Sequence, residues 1–166
     1  MLRYLKGTAN YVLCYQDSNL RLVGYRDADW GSDLDERKST FGYAFLLNDG
    51  AITWSSKKQL YIALSTMEAE YVACSATVQE AVWLRRFLQH LQIVMDAPNP
   101  VTIHCDSTTA LAYAKDPKYY GKTKHIDIRY QYIRDMVAQK EVVLKHISTS
   151  QMIAYPFTKP IARDAF

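Results

Sequence analysis

Three acids stand where carboxylates from different elements could act together. Asp27 lies near the end of the first long strand-like segment, Glu70 in the first turns of the clearest helix, and Asp106 at the end of the short segment "VTIHCD". Side chains from strand ends and a helix start can converge at one edge of a sheet. Like charges that close cannot all stay ionised unless cations neutralise them. Hard oxygen donors of this kind suit Mg²⁺, and two such ions about 3.5–4 Å apart support phosphodiester hydrolysis. Each acid taken singly also fits a helix cap or a solvated surface charge, so the joint placement carries the expectation of a metal site.

Two neighbouring acids compete for these roles. Ser65 followed by Glu68 forms an S-x-x-E pattern, which gives Glu68 the N3 position of a capping box. Glu70 lies about 200° further round the helix, so the two cannot face one ion. In "RDADW", Asp27 and Asp29 share a strand face, and periodicity leaves the choice between them open.

The elements that must position these acids follow from the patterning. The opening residues predict a short helix and then a strand-like "YVLCYQ". "LRLVGYRDADW" predicts a strand ending in acids, and "GSDLDERKST" a charged turn in which Arg37 and Lys38 could meet a backbone phosphate. "FGYAFLLNDGAITWSSKKQLYIAL" predicts an antiparallel pair about "NDG". "STMEAEYVACSATVQEAVWLRRFLQHL" has no Pro or Gly and predicts one long helix. "VTIHCD" predicts a strand and "STTALAYAKD" a short helix with a hydroxyl cap. Ile126, Tyr130, Ile133 and Val137 then recur at helical spacing. "EVVLKHIS" predicts a last strand, and "TSQMIAYPFTKP" a last helical turn stopped near Pro156. The order predicts a mixed α/β sheet with helices on its faces. Trp30, Trp54 and Trp83 are expected in the core.

Bulk properties narrow the class. At 166 residues the chain predicts one domain, and 49% apolar with 22% charged residues is ordinary for a globular protein rather than a disordered one. No apolar run approaches the roughly 18 residues a bilayer requires, and the N-terminus lacks a secretory core. Cys14, Cys74 and Cys105 show no C-x-x-C spacing and read as free thiols in a reducing, intracellular compartment, cytoplasmic or nuclear. The net charge of +3 implicates no partner alone, but its distribution is uneven. Lys118, Lys122, Lys124, His125, Arg129 and Arg134 interleave with Tyr119, Tyr120 and Tyr130. Such a stretch reads either as a phosphate-tracking surface or as an ordinary solvated helix face.

The blocks "LRYLKGT", "GYRDADWGSDLDERKSTFGYAFLL", "ITWSSKKQ", "ALSTMEAEYVA", "EAVWLRR", "IHCDSTTALAYAKDP", "KTKHIDIRYQYIRD" and "FTKP" closely resemble the ribonuclease H domain of copia-type retrotransposon polyproteins. They run in order from near Met1 to Pro160, almost the whole chain. The resemblance implies a ribonuclease H-like fold, a five-stranded mixed sheet flanked by helices, with residues 20–160 as the domain and 161–166 as a tail. It implies that residues 1–19 are a remnant of the junction after reverse transcriptase. A methionine directly before "LRYLKGT" fits an excised domain or a free-standing reading frame derived from a retrotransposon. The activity implied is Mg²⁺-dependent hydrolysis of the RNA strand of an RNA–DNA hybrid, with two ions and four carboxylates.

Carried over by motif, three of those carboxylates are Asp27, Glu70 and Asp106, which chooses Asp27 over Asp29. The fourth belongs to an "A-D-x-F-T-K-P" block that here reads "AYPFTKP", so its acidic position is Tyr155. A phenol with an ordinary pKa near 10 is neutral at pH 7 and a poor Mg²⁺ ligand. The expectation is strongly reduced hydrolysis, unless a nearby acid such as Asp164 substitutes. His125 of "TKHIDIR" is a family hallmark expected to pack or to meet a phosphate. Two functions follow: an Mg²⁺-dependent ribonuclease H with impaired chemistry, or a non-catalytic domain binding nucleic acid or a protein partner.

Overall fold

The computed structural model describes residues 2–15, 20–93, 99–108, 111–112 and 124–160, with backbone alone at 4 and 124–127. Its centre is a five-stranded sheet built from β1 (Leu22–Asp29), β2 (Thr40–Leu47), β3 (Gly50–Lys58), β4 (Val101–Cys105) and β5 (Val142–His146), in the order β3-β2-β1-β4-β5. β1, β2 and β3 form an antiparallel meander, while β4 and β5 run parallel to β1. The mixed sheet expected from the sequence is present. Parallel pairing puts the C-terminal ends of β1 and β4 side by side, and these ends carry Asp27 and Asp106.

The helices among the described residues are α1 (Leu2–Gly7), α2 (Thr66–His90) and α3 (Lys124–Ala138), besides the helical residues Thr108, Leu111 and Ala112 and two 3₁₀ turns at Thr149–Gln151 and Tyr155–Phe157. α2 lies across β1, β2 and β4 and packs on α3. The core forms between them from Phe45, Val78, Ala81, Ile103, Ile133 and Val142. The spacing that predicts α3 delivers Tyr130 and Ile133 to this core, with Val137 packed against it. No helix among the described residues is long and apolar enough to cross a membrane.

Several local expectations need correction. The tryptophans are not core: Trp30, Trp54 and Trp83 are 50%, 60% and 56% exposed. Trp30 donates to the Ala63 carbonyl at 3.0 Å and Trp83 stacks on Phe87, so each is partnered on one side and wet on the other. The run Tyr11–Tyr15 is exposed and unpaired as a strand; it docks instead through Tyr15, whose hydroxyl donates to Ala51 O at 2.7 Å. The hairpin turns about "NDG" as expected, with Asn48 and Asp49 in the left-handed conformation (φ 47° and 64°). Gly50 is required for space, because a Cβ there would lie 2.5 Å from the Tyr15 ring. Pro156 does not stop the last turn but lies inside it.

Candidate active site

The capping pattern before Glu70 resolves the first ambiguity. Ser65 Oγ accepts from Glu68 N at 3.2 Å, and Glu68 Oε2 accepts from Leu64 N at 2.8 Å, one residue earlier than the ideal box. Glu68 is thus spent on the helix end. Gln59 Nε2 donates to Ala69 O at 2.8 Å, tying the exit of β3 to the turn of α2 that carries Glu70.

Asp27, Glu70 and Asp106 come together. Each offers a carboxylate oxygen, and these atoms all lie within 4.8 Å of one another. Asp27 is 1% and Glu70 6% exposed, whereas Asp106 is half-buried and opens the cluster to solvent. Among the described residues, Asp29 does not join this cluster. Burial, with the mutual repulsion of the acids, raises both the Asp27 and Glu70 carboxyls above their ordinary range, although partners pull the other way.

Those partners were not foreseen from the sequence. Thr158 Oγ1 donates to Asp27 Oδ2, and the Lys159 ammonium lies 3.7 Å from the same oxygen. Arg26 Nη1 pairs with Glu70 Oε2 and also donates to the Glu70 carbonyl at 3.3 Å. Thr149 Oγ1 donates to Asp106 Oδ2 at 3.0 Å. Each acid therefore has one oxygen braced by the protein. Hard oxygens at this spacing, two on buried carboxylates, fit a divalent cation. Arg26 and Asp27 are sequence neighbours on opposite strand faces, so one turns to α2 and the other to the C-terminal segment. Arg26 is fully buried; its Nε and Nη2 find no oxygen or nitrogen partner among the described residues, and Cys74 and Cys105 lie beside it. Burial pushes both thiols up, Cys105 to about 11, so they stay neutral. All three cysteines are free.

Tyr155 sits beside the cluster, half-buried, at the start of its 3₁₀ turn. The Lys159 ammonium lies 4.8 Å from the centroid of its ring, linking that ring to Asp27. Of the predicted basic surface, Lys118 and Lys122 lie outside the described residues, as does the tail 161–166 with Asp164. Lys124 and His125 open α3, with their side chains outside the described set. Arg129 and Arg134 are half-buried, and the Arg134 guanidinium lies 5.3 Å from the centroid of the buried Tyr130 ring.

No family model matches the chain. Over its whole length it is 44% identical to the retrovirus-related Pol polyprotein from transposon TNT 1-94 of Nicotiana tabacum. The chain is similar over its whole length to copia-type retrotransposon Pol polyproteins, at 37–44% identity. It spans only 12% of the Nicotiana tabacum polyprotein. The fold has solved counterparts. Ribonuclease H1 from the archaeon Halobacterium salinarum aligns with a TM-score of 0.58 at 12% identity, over 83% of this chain and 93% of that one. LC11-RNase H1, solved in complex with RNA/DNA hybrid, aligns at 0.51 and 17% identity, over 82% and 93%. The chain therefore has a ribonuclease H-like fold.

Proposed function

We propose that this domain grips an RNA–DNA hybrid at the acidic corner and hydrolyses its RNA strand with Mg²⁺, at a rate well below that of a four-carboxylate site. The observation that carries this reading is the meeting of three carboxylate oxygens within 4.8 Å at the ends of β1 and β4. It is supported by the retrotransposon relatives and by a fold neighbour that was solved with an RNA/DNA hybrid.

In this reading Asp27, Glu70 and Asp106 hold the divalent ion. A bound ion there supplies Lewis acidity to a phosphate oxygen and a water of lowered pKa. Thr158, Arg26 and Thr149 each fix one carboxylate oxygen and so orient the other, which removes rotamer freedom from the ligand set. Asp27 and Glu70 must be ionised to serve, and burial makes both harder to ionise. This reading assigns the basic residues of the sequence stretch, Lys118, Lys122, Lys124, His125, Arg129 and Arg134, to phosphates of the hybrid.

One observation favours a second reading. Tyr155 stands where the resembled motif carries its fourth acid, a phenol in place of a carboxylate oxygen. A non-catalytic domain that binds nucleic acid or a protein partner needs no such oxygen. Cleavage of a labelled hybrid in Mg²⁺ by the wild-type chain, by Tyr155→Asp and by Asp106→Asn separates the two. Weak cleavage that rises with Tyr155→Asp and vanishes with Asp106→Asn supports the enzyme. No cleavage by either of the first two, alongside retained hybrid binding, establishes the second reading. Full wild-type cleavage unimproved by Tyr155→Asp refutes the impairment.

A further inference from the structure

Lys159 has a defined seat. Its backbone N–H donates to Tyr155 O at 3.2 Å, as does the N–H of Thr158 at 3.1 Å. The turn that closes this way is pinned to the sheet: Ser56 Oγ donates to Phe157 O at 2.6 Å, and Gly42 lets Phe157 lie directly on β2. From that base the Lys159 side chain reaches back over the Tyr155 ring, 4.8 Å from its centroid, to within 3.7 Å of Asp27 Oδ2. An ammonium within about 6 Å of an aromatic face is attracted by the ring quadrupole. A π-face holds it without adding a negative charge to a corner that already has three acids.

The corner's other cation, Arg26, is wholly buried and committed to Glu70. Lys159 differs, because its side chain is 31% exposed and its three donors are not consumed by one carboxylate oxygen. A compact ammonium on a flexible stem serves as a point-charge grip for phosphate.

We propose that Lys159 is the resident cation of the acidic corner: seated on Tyr155 and facing Asp27, it takes the place of a second divalent ion, so the corner holds one such ion and presents Lys159 to a phosphodiester oxygen. This rests on the reading of the corner as a divalent-ion and hybrid site. It assigns Tyr155 a positive task, since the ring positions the ammonium. Tyr155→Leu should then loosen Lys159 without altering charge.

The test is calorimetric titration of Mn²⁺ into the full chain, without nucleic acid, for wild type, Lys159→Met, Lys159→Arg and Tyr155→Leu. The wild type takes one ion. Removing a unit charge about 6 Å from a divalent ion in a water-like dielectric corresponds to about tenfold in affinity. Lys159→Met therefore binds Mn²⁺ about tenfold more tightly or gains a second site, while Lys159→Arg keeps the wild-type isotherm. Tyr155→Leu moves in the same direction as Lys159→Met by a smaller factor. Binding of uncleaved hybrid in EDTA weakens in Lys159→Met, with a salt slope shallower by about one phosphate contact. Equal Mn²⁺ binding by wild type and Lys159→Met overturns this inference and leaves the functional reading standing. Failure of every chain to bind Mn²⁺ removes that reading and this inference together. Should Lys159→Met lose its cooperative melt, wild-type stoichiometry alone decides: two ions overturn the assignment.

Discussion

Arg26→Met is the most informative single change to this corner. It removes a guanidinium that is 0% exposed and leaves Glu70, 6% exposed, without its cation. Breaking a buried pair by deleting one partner costs about 3–5 kcal/mol, most of it the stranded charge. The orphaned acid has one escape, which is to take up a proton. Its ordinary pKa is 4.5. At pH 7.5, three units higher, neutralising it costs about 4 kcal/mol at 1.36 kcal/mol per unit, which caps the electrostatic loss. At pH 5.5 the same escape costs only about 1.4 kcal/mol. The sign follows from proton linkage: the variant's Glu70 has a raised folded pKa, so the stability lost at neutral pH returns as pH falls towards 4.5. Urea unfolding of wild type and variant at both pH values, without metal, reads the difference directly. The expected destabilisation is about 4 kcal/mol at pH 7.5 and less than about half that at pH 5.5. Arg26→Met combined with Glu70→Gln removes most of the pH dependence. A loss that is the same at both pH values refutes the stranded-charge argument and leaves only lost packing.

Two further outcomes follow from the same geometry. Gly42→Ala puts a Cβ 2.5 Å from Phe157 Cβ and 3.2 Å from Thr158 Cγ2, so the turn carrying Thr158 and Lys159 must lift; unfolding midpoints should show a loss of about 1–3 kcal/mol, with altered Mn²⁺ affinity. Mg²⁺ should raise the melting temperature more at pH 8 than at pH 5. Burial lifts the folded-state values of Asp27 and Glu70, so in the metal-free protein their contribution to stability is present below their unfolded values of 3.8 and 4.5 and is lost as pH rises through the raised ones; a cation reverses that loss only where both are ionised. Equal shifts at both pH values would contradict it.

Much of the frame was legible because local signals and tertiary demand agree. Alternation marks β1, the "NDG" turn marks the β2–β3 pair, and the S-x-x-E cap separates Glu68 from Glu70. The strand period could not separate Asp27 from Asp29, because both lie on one face; what separates them is the position of β1 beside β4, a long-range pairing. Arg26 was invisible for a different reason. An arginine in "GYRDADW" reads as surface, since charged residues are almost never fully buried unless paired, and its partner lies 44 residues away. The tryptophans misled because ring size alone suggests core, whereas here each ring has one wet side. "YVLCYQ" has strand composition, yet no described strand runs beside Tyr11–Tyr15, so propensity went unused. Thr149, Thr158 and Lys159 carried no signal beyond the "FTKP" block, since hydroxyl and ammonium partners of an acid have no fixed spacing.

The partners of the three acids also explain how such a corner persists whatever its chemistry. The three acids face two chain cations, Arg26 from the α2 side and Lys159 from the C-terminal side. A fold that neutralises its own acids does not require a metal to stay folded, so retention of Asp27, Glu70 and Asp106 tests stability as much as activity. Tyr155 acts in the same direction. An acid at that position adds a further negative charge, which destabilises the metal-free corner and favours it once an ion is bound. Stability without metal and affinity for metal therefore pull against each other at residue 155, and tyrosine lies on the side of stability.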